Sequence, residues 1–310
     1  MDDGIRVGLL GPLEVWRRER PVRVASALQR MLVARLDLDP GRTVAVEALV
    51  DDLWEERPPA DARGALQHHV SRLRKAIGPV VVTRGVGYLL EVEPDDVDAL
   101  RFARLVRAGR TALRKGDVRE AREALQTALA LRRGPPLQEF LDRDWARPVA
   151  VRLQEQHVDA IEDRIEADLA AGLHADLVDE IRDVLAANPF RERLWGQLML
   201  ALYRSGRQPD ALAAYTEARH VLADGHGLDP GLELAHLEQA ILTHDPEVAA
   251  PRPASPNGRS GNLPASRVGA LHPAARPPGW SAERRHSLQV LVDQRHDDPA
   301  LTDGCRDPFR

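Results

Sequence analysis

The run ARGALQHHVSRLRKAIGPVVVTRGVGYLL, residues 62–90, holds four arginines, one lysine and no acidic side chain. Guanidinium and ammonium groups at that density suit phosphate oxygens and the acceptor edges of bases. The preceding stretch has the opposite sign. Residues 37–61 carry eight acidic residues and two arginines, net −6, against +5 for residues 62–90. Random mixing over a solvated surface does not usually sort charge so cleanly. The chain as a whole is mildly acidic, with a formal charge of −5 over 310 residues, so the distribution informs where the total does not. A lone basic helix is most often just a solvated face. Here the order of the surrounding elements favours a nucleic-acid role.

Placed on a helix at about 100° per residue, Leu66, Val70, Leu73 and Ile77 fall on one narrow stripe that must meet a core. Gly64, His68, Ser71, Arg72 and Lys75 fall opposite, with Arg63, Gln67 and Arg74 between. A helix fits the major groove of B-DNA, where an arginine bonds guanine O6 and N7 together. Lys, Ser and His suit phosphate. After Gly78-Pro79, VVVTRGVGYLLEV reads as a hairpin with Arg84 at its tip and Thr83 beside it. A cation on a narrow finger suits the negative potential of a minor groove. Helix plus finger is a winged helix-turn-helix, with residues 46–54 as the supporting helix.

Other elements must position these. IRVGLL and LEVW are short β-like runs joined by Gly11-Pro12, and PVRV follows a turn at Arg18-Glu19. Leu28, Met31, Leu32 and Leu36 recur at helical spacing after Ser26, a candidate N-cap, and Pro40-Gly41 stops that helix. VEALVDDLW has Val46, Leu49, Val50 and Leu53 on one side. Residues 98–244 read as helical throughout. Trp195, Leu198, Leu202, Gly206, Ala211, Tyr215 and Ala218 fit the tetratricopeptide pattern. An offset of about 34 residues lands on Gly172, Leu177, Ile181 and Val184. An earlier copy runs through Leu105, Gly109, Ala112, Gly116, Ala121, Leu125 and Ala128, separated by an insertion that includes RGPPLQEFLDRDW. A last helix is predicted to begin at Asp229-Pro230. Residues 245–310 hold ten of the 23 prolines and read as a disordered tail, with a short helix over residues 281–296. The resulting fold class is mainly α with a small α/β N-terminal part. Its domains are 1–93, 98–244 and the tail.

Other chemistries find little support. His68 and His69 are adjacent, so on a helix they point about 100° apart and make a poor metal pair. CxxC and HExxH spacings are missing, as are a GxSxG elbow, a dinucleotide glycine fingerprint and GxxxxGK[ST]. The reading therefore includes no enzyme activity, catalytic residue, metal or cofactor. The N-terminus does not read as a signal peptide, and no apolar window approaches the roughly 18 residues that span a bilayer. Cys305 is the single cysteine, which gives a cytosolic reading. Trp54, Trp195, Tyr215 and Tyr88 read as packing residues.

LLGPLEVW, VEALVDDLW, PPADARGALQHHVSRLRKAIG and TRGVGYLLEV resemble the Streptomyces antibiotic regulatory protein (SARP) family. ALYRSGRQPDALAAYTEARHVLADGHGLDPGLELAHLEQAIL resembles that family's bacterial transcriptional activation domain. The resemblance implies an OmpR-like winged helix joined to a tetratricopeptide-like domain. It implies an activator of biosynthetic gene clusters that binds promoter direct repeats as side-by-side protomers. It also implies recruitment of RNA polymerase through the sigma factor and through the C-terminal domain of the alpha chain. It implies DNA contacts by His69, Ser71, Arg72 and Arg74, with Arg72 the base reader and Arg84 the wing arginine. Residues 55–61, with Glu55, Glu56, Arg57 and Asp61, match the loop that meets polymerase. Two departures stand out: Arg35 and Asp37 lie where the family usually has leucines, so the first helix is expected to be shorter or locally exposed. The join GPVVVTRG is also shorter than usual. The alternative function is a tetratricopeptide interaction scaffold whose winged helix serves protein contacts.

Overall fold

A computed structural model describes residues 4–249. These group into two compact units, residues 4–171 and residues 172–249. In the first unit, β1 (Ile5–Gly8), β2 (Glu14–Arg17) and β3 (Arg20–Pro21) form an antiparallel sheet in that order. Val7 pairs with Val15 and Ile5 with Arg17. Arg18 and Glu19 both have positive φ, 49° and 63°, as the primed two-residue hairpin turn requires. A second sheet has the order β4-β6-β5, from Val44–Ala45, Gly87–Leu90 and Val81–Arg84.

Helix α1 (Ala27–Asp37) lies between the two sheets in sequence, and α2 (Val46–Trp54) and α3 (Ala62–Ile77) lie between β4 and β5 of the second. The stripe expected of α3 is the one the fold buries: Leu66, Val70, Leu73 and Ile77 are each at most 1% exposed. They join Leu32, Leu36, Leu49, Leu53 and Leu90 in one core. Ser26 holds the N-cap position of α1, but its side chain makes no capping hydrogen bond.

Helix α1 corrects the first expectation. It runs its full length, and Gln29, Met31 to Ala34, Leu36 and Asp37 are all buried. Arg35 is half-buried and bonds Asp52 at 2.6 Å. Asp37 is 1% exposed, and neither of its oxygens has a hydrogen-bond partner. Burial, then the nearby charge of Asp98, holds its carboxyl well above the ordinary 3.8. Burial thus favours the neutral form of this acid, and the helix keeps its full length.

The first unit continues through α4 (Asp98–Lys115), α5 (Val118–Leu129) and α6 (Ala146–Ala170). Gly109 lets α5 approach: a Cβ there would stand 2.5 Å from Leu125. The insertion between α5 and α6 reaches back to the β1–β2 connection. Arg133 N–H donates to the Leu10 carbonyl at 2.8 Å and Leu137 N–H to that of Leu9 at 3.0 Å. Glu139 accepts from Leu13 N–H at 2.8 Å and pairs with Arg30 of α1. Asp98 accepts from the N–H groups of Leu9 and Leu10, at 2.8 and 3.0 Å, and pairs with Arg133. Leu137 and Phe140 complete the same core as α1 to α3.

The second unit holds α7 (His174–Ala187), α8 (Glu192–Arg204), α9 (Gln208–His226) and α10 (Leu232–Leu242). Trp195 is 4% exposed and donates to the Pro189 carbonyl at 2.8 Å. Tyr215 is half-buried. Gly206 has φ 76° in the α8–α9 turn, where only glycine turns freely. Helix α10 begins at Leu232, not at Asp229-Pro230. The Gly231 N–H is taken by Glu192 at 2.6 Å, so a side chain from α8 supplies the start signal that the Asp-Pro pair was expected to give. The short helix expected over residues 281–296 and the tail reading lie outside the described residues.

Candidate nucleic-acid interface

Helix α3 starts at a cap: the Asp61 side chain accepts from Gly64 N–H at 2.9 Å. This cap consumes one orphan donor and offsets the helix dipole with a carboxylate. Gly64 itself is half-buried beneath it, and an added Cβ would collide with Asp61. Asp61, grouped with the polymerase loop by resemblance, is thus placed as the N-cap of the recognition helix. The signal was present in the sequence: an Asp directly before Ala62, where the basic run begins.

His68, Ser71, Arg72 and Lys75 are exposed together on the far side of α3 from Leu66, Val70, Leu73 and Ile77. Apart from Gly64, the structure sorts these two faces of the helix as the spacing did. Among the described residues, Arg72 and Lys75 have no ion-pair or hydrogen-bond partner.

Three other side chains of α3 are engaged. Arg63 is exposed but pairs with Glu47 in the first turn of α2. Arg74 turns toward the hairpin. Its Nε donates to the Val81 carbonyl at 2.7 Å, its Nη2 donates to Thr83 Oγ1 at 2.8 Å, and its guanidinium lies 6.0 Å from the Tyr88 ring centre. His69 is half-buried, with its ring 6.2 Å from that of Trp54 and its Nδ1 buried without a hydrogen-bond partner. Burial, then the charges of His68 and Arg72, holds its pKa below 6.5. His69 and Arg74 were matched to DNA-touching positions by resemblance; here both side chains are turned to protein. Trp54 packs on the core edge while half-exposed, and Tyr88 is 6% exposed.

The hairpin of β5 and β6 closes through a two-residue turn, with Arg84 opposite Gly87 and Gly85 at φ 59°. Arg84, Thr83 and Val86 are exposed, Val86 to 78%. The tip is anchored from behind. Val46 N–H of α2 donates to the Val86 carbonyl at 3.1 Å, and Gly87 passes so near β4 that a Cβ would lie 2.1 Å from the Val44 carbonyl oxygen. Wing and supporting helix are therefore joined, a link that local patterning did not reveal.

The loop after α2 departs from α3 and the wing. Glu55 adopts φ 50° at the end of α2 and pairs with Arg143 of the insertion at 3.0 Å. Trp54, Glu55, Glu56 and Arg57 line an open polar groove with Asp142, Arg143 and Asp144. Glu56 and Arg57 are exposed in it.

Among the described residues, no group of histidine, cysteine, aspartate and glutamate has the arrangement to hold a metal ion. No described helix is long and apolar enough to cross a membrane.

Comparison with known proteins agrees with this geometry. Residues 22–90 match the family model described as "Transcriptional regulatory protein, C terminal", and residues 97–242 match the "Bacterial transcriptional activator domain". The regulatory protein AfsR of Streptomyces coelicolor is 41% identical over 247 residues, 79% of this chain and 25% of AfsR. The chain thus spans about a quarter of AfsR, as it does of the AfsR of Streptomyces griseus, 26%. The regulatory protein DnrI of Streptomyces peucetius is 34% identical over 268 residues, 83% of this chain and 98% of DnrI. The solved structure of Mycobacterium tuberculosis EmbR in complex with a low affinity phosphopeptide matches 78% of this chain and 66% of that chain, with TM-score 0.75 and 36% identity. A winged helix with a sorted basic recognition helix, followed by a helical activator domain, in a chain that aligns along nearly all of DnrI, belongs to the SARP family of transcriptional activators.

Proposed function

We propose that this protein activates transcription by reading promoter DNA with α3 and the wing. The observation that carries the proposal is the exposed face of α3. His68, Ser71, Arg72 and Lys75 stand together there, and Arg72, Lys75 and the wing's Arg84 have no acidic partner among the described residues. Arg72 reads a base edge in the major groove, Lys75, His68 and Ser71 hold phosphates, and Arg84 with Thr83 follows the backbone into the minor groove. Protomers bind a direct repeat side by side as a homodimer on DNA. The regulated genes form a secondary-metabolite biosynthetic cluster. The protein acts in the cytoplasm, on DNA, and no catalytic step is part of its role.

RNA polymerase is the second partner. The groove carrying Glu56 and Arg57 lies on the α2–α3 loop rather than on α3 or the wing. That position supports a contact made while DNA is held, either with the sigma factor or with the C-terminal domain of the alpha chain. The test is affinity purification of fragmented genomic DNA with purified protein, followed by sequencing, beside Arg72→Ala. A motif spaced as a direct repeat and altered in the variant is the expected result. No enrichment at moderate salt would give the lead to the interaction-scaffold reading, in which the winged helix meets protein.

A further inference from the structure

The ion pair between Glu47 and Arg63 is out of place as a stabilising contact. Its side chains are 59% and 70% exposed, and pairs in that much water contribute little to folding. Arg63 also sits in the first turn of α3, where the helix dipole disfavours a cation. That turn is where recognition helices meet DNA. Glu47 opens α2, whose Val46 N–H carries the wing turn through Val86. A carboxylate therefore stands at the rim of the surface assigned to phosphates. The other cations of that surface, Arg72, Lys75 and Arg84, are left without an acid.

We infer that Glu47 is a specificity-determining residue: it holds Arg63 back from phosphates that carry no sequence information. The inference rests on the DNA-reading proposal above. Binding to arbitrary DNA comes almost wholly from neutralised phosphates. An arginine free at the helix entrance would add to it wherever α3 is loosely placed on the duplex. Paired with Glu47, Arg63 presents no net charge to a sliding encounter. The base reader Arg72 is untouched. When base contacts seat α3 in one register they fix its first turn, and an arginine there has less freedom to reach a phosphate, so releasing it adds less to motif binding. The net effect is to lower affinity for wrong sites more than for the right one, by withholding a non-specific contact rather than adding a specific one.

The test uses the full chain and two duplexes, one with the motif selected by the wild type and one of scrambled sequence, titrated from low to moderate salt. Glu47→Gln should raise affinity for the scrambled duplex roughly two- to fivefold, the worth of one exposed ion pair. It should steepen that duplex's salt slope by about 0.9, one phosphate contact. Affinity for the motif should rise less, so the ratio falls. In an Arg63→Ala background the same Glu47→Gln change should do nothing. Equal rises on both duplexes, or a rise that persists without Arg63, would overturn the inference and leave Glu47 as one negative charge among many. Failure of the wild type to select any motif is a separate result: it removes the DNA-reading proposal, and the inference with it, before any variant is compared.

Discussion

Arg74 of α3 donates to Thr83 Oγ1 of β5 at 2.8 Å, with a second bond from its Nε to the Val81 carbonyl at 2.7 Å. One guanidinium thus ties the recognition helix to the wing. Arg74→Ala should lower unfolding free energy by about 1–3 kcal/mol, the worth of bonds made by a charged donor. It should weaken every DNA sequence alike and leave the selected motif unchanged. Denaturant unfolding and binding-site selection together check this, and a changed motif would return Arg74 to the bases.

Arg72 is the contrasting case. Exposed and unengaged, it should cost about 1–3 kcal/mol at one base position when changed to Ala, and relax the preference there. The fold should be unaffected, so the melting curve and the motif respond oppositely in the two arginine variants.

Lys75→Ala should reduce the slope of log affinity against log salt by about 0.9, because one phosphate contact is lost. The loss should be uniform over motif and scrambled duplexes. A titration at several salt concentrations reads it directly.

The pH dependence of stability should carry the mark of Asp37. Its folded pKa lies well above 3.8 because of burial and then Asp98. Above that ordinary value the unfolded chain releases the proton and the folded chain keeps it. Asp37 therefore lowers stability as pH rises through that window. Asp37→Asn keeps the shape and removes the titration, so it should be the more stable protein at neutral pH, by on the order of 1–2 kcal/mol. The advantage should vanish below about pH 3.8. Urea unfolding across that range tests both halves.

Glu139 works in the other direction. Burial pushes its carboxyl up, but Arg30 and the Leu13 N–H outweigh this and hold it below 4.5. Its contribution is present above the unfolded value and is lost as pH falls through the folded one. Glu139→Gln should cost about 1 kcal/mol near neutrality, and the gap from wild type should close on acidification, opposite in sign to the Asp37 gap.

Much of the fold was legible because periodicity is local. The stripe of Leu66, Val70, Leu73 and Ile77 and the exposed Arg72 face follow from helical spacing alone. The hairpin at Gly85 follows from turn chemistry, whereas Arg18 and Glu19 take positive φ against their residue types, in a turn closed by the pairing of Arg17 with Arg20. What escaped depends on partners far along the chain. Arg63 and Arg74 have the same place between faces in a wheel projection, yet one meets Glu47 and the other the Val81 strand. His69 was assigned to DNA by resemblance, but Trp54 from the preceding helix draws its ring inward. Asp37 was expected to shorten or expose its helix, because the pattern of α1 alone does not reveal that the helix is covered on nearly every side. The insertion read as extra sequence, since nothing in RGPPLQEF announces bonds to Leu9, Leu10 and Leu13.

That insertion sets the cutting points for chimeras. A donor recognition module spliced in place of residues 1–93 would bring a foreign β1–β2 connection. Arg133, Leu137 and Glu139 would then face backbone they were not shaped to meet, and Asp98 would depend on the foreign connection placing two N–H groups where those of Leu9 and Leu10 now lie. Under the DNA-reading proposal, retargeting this activator to a new operator calls for exchanging the exposed face of α3 and the wing tip in place. A wholesale graft would have to carry everything through α6.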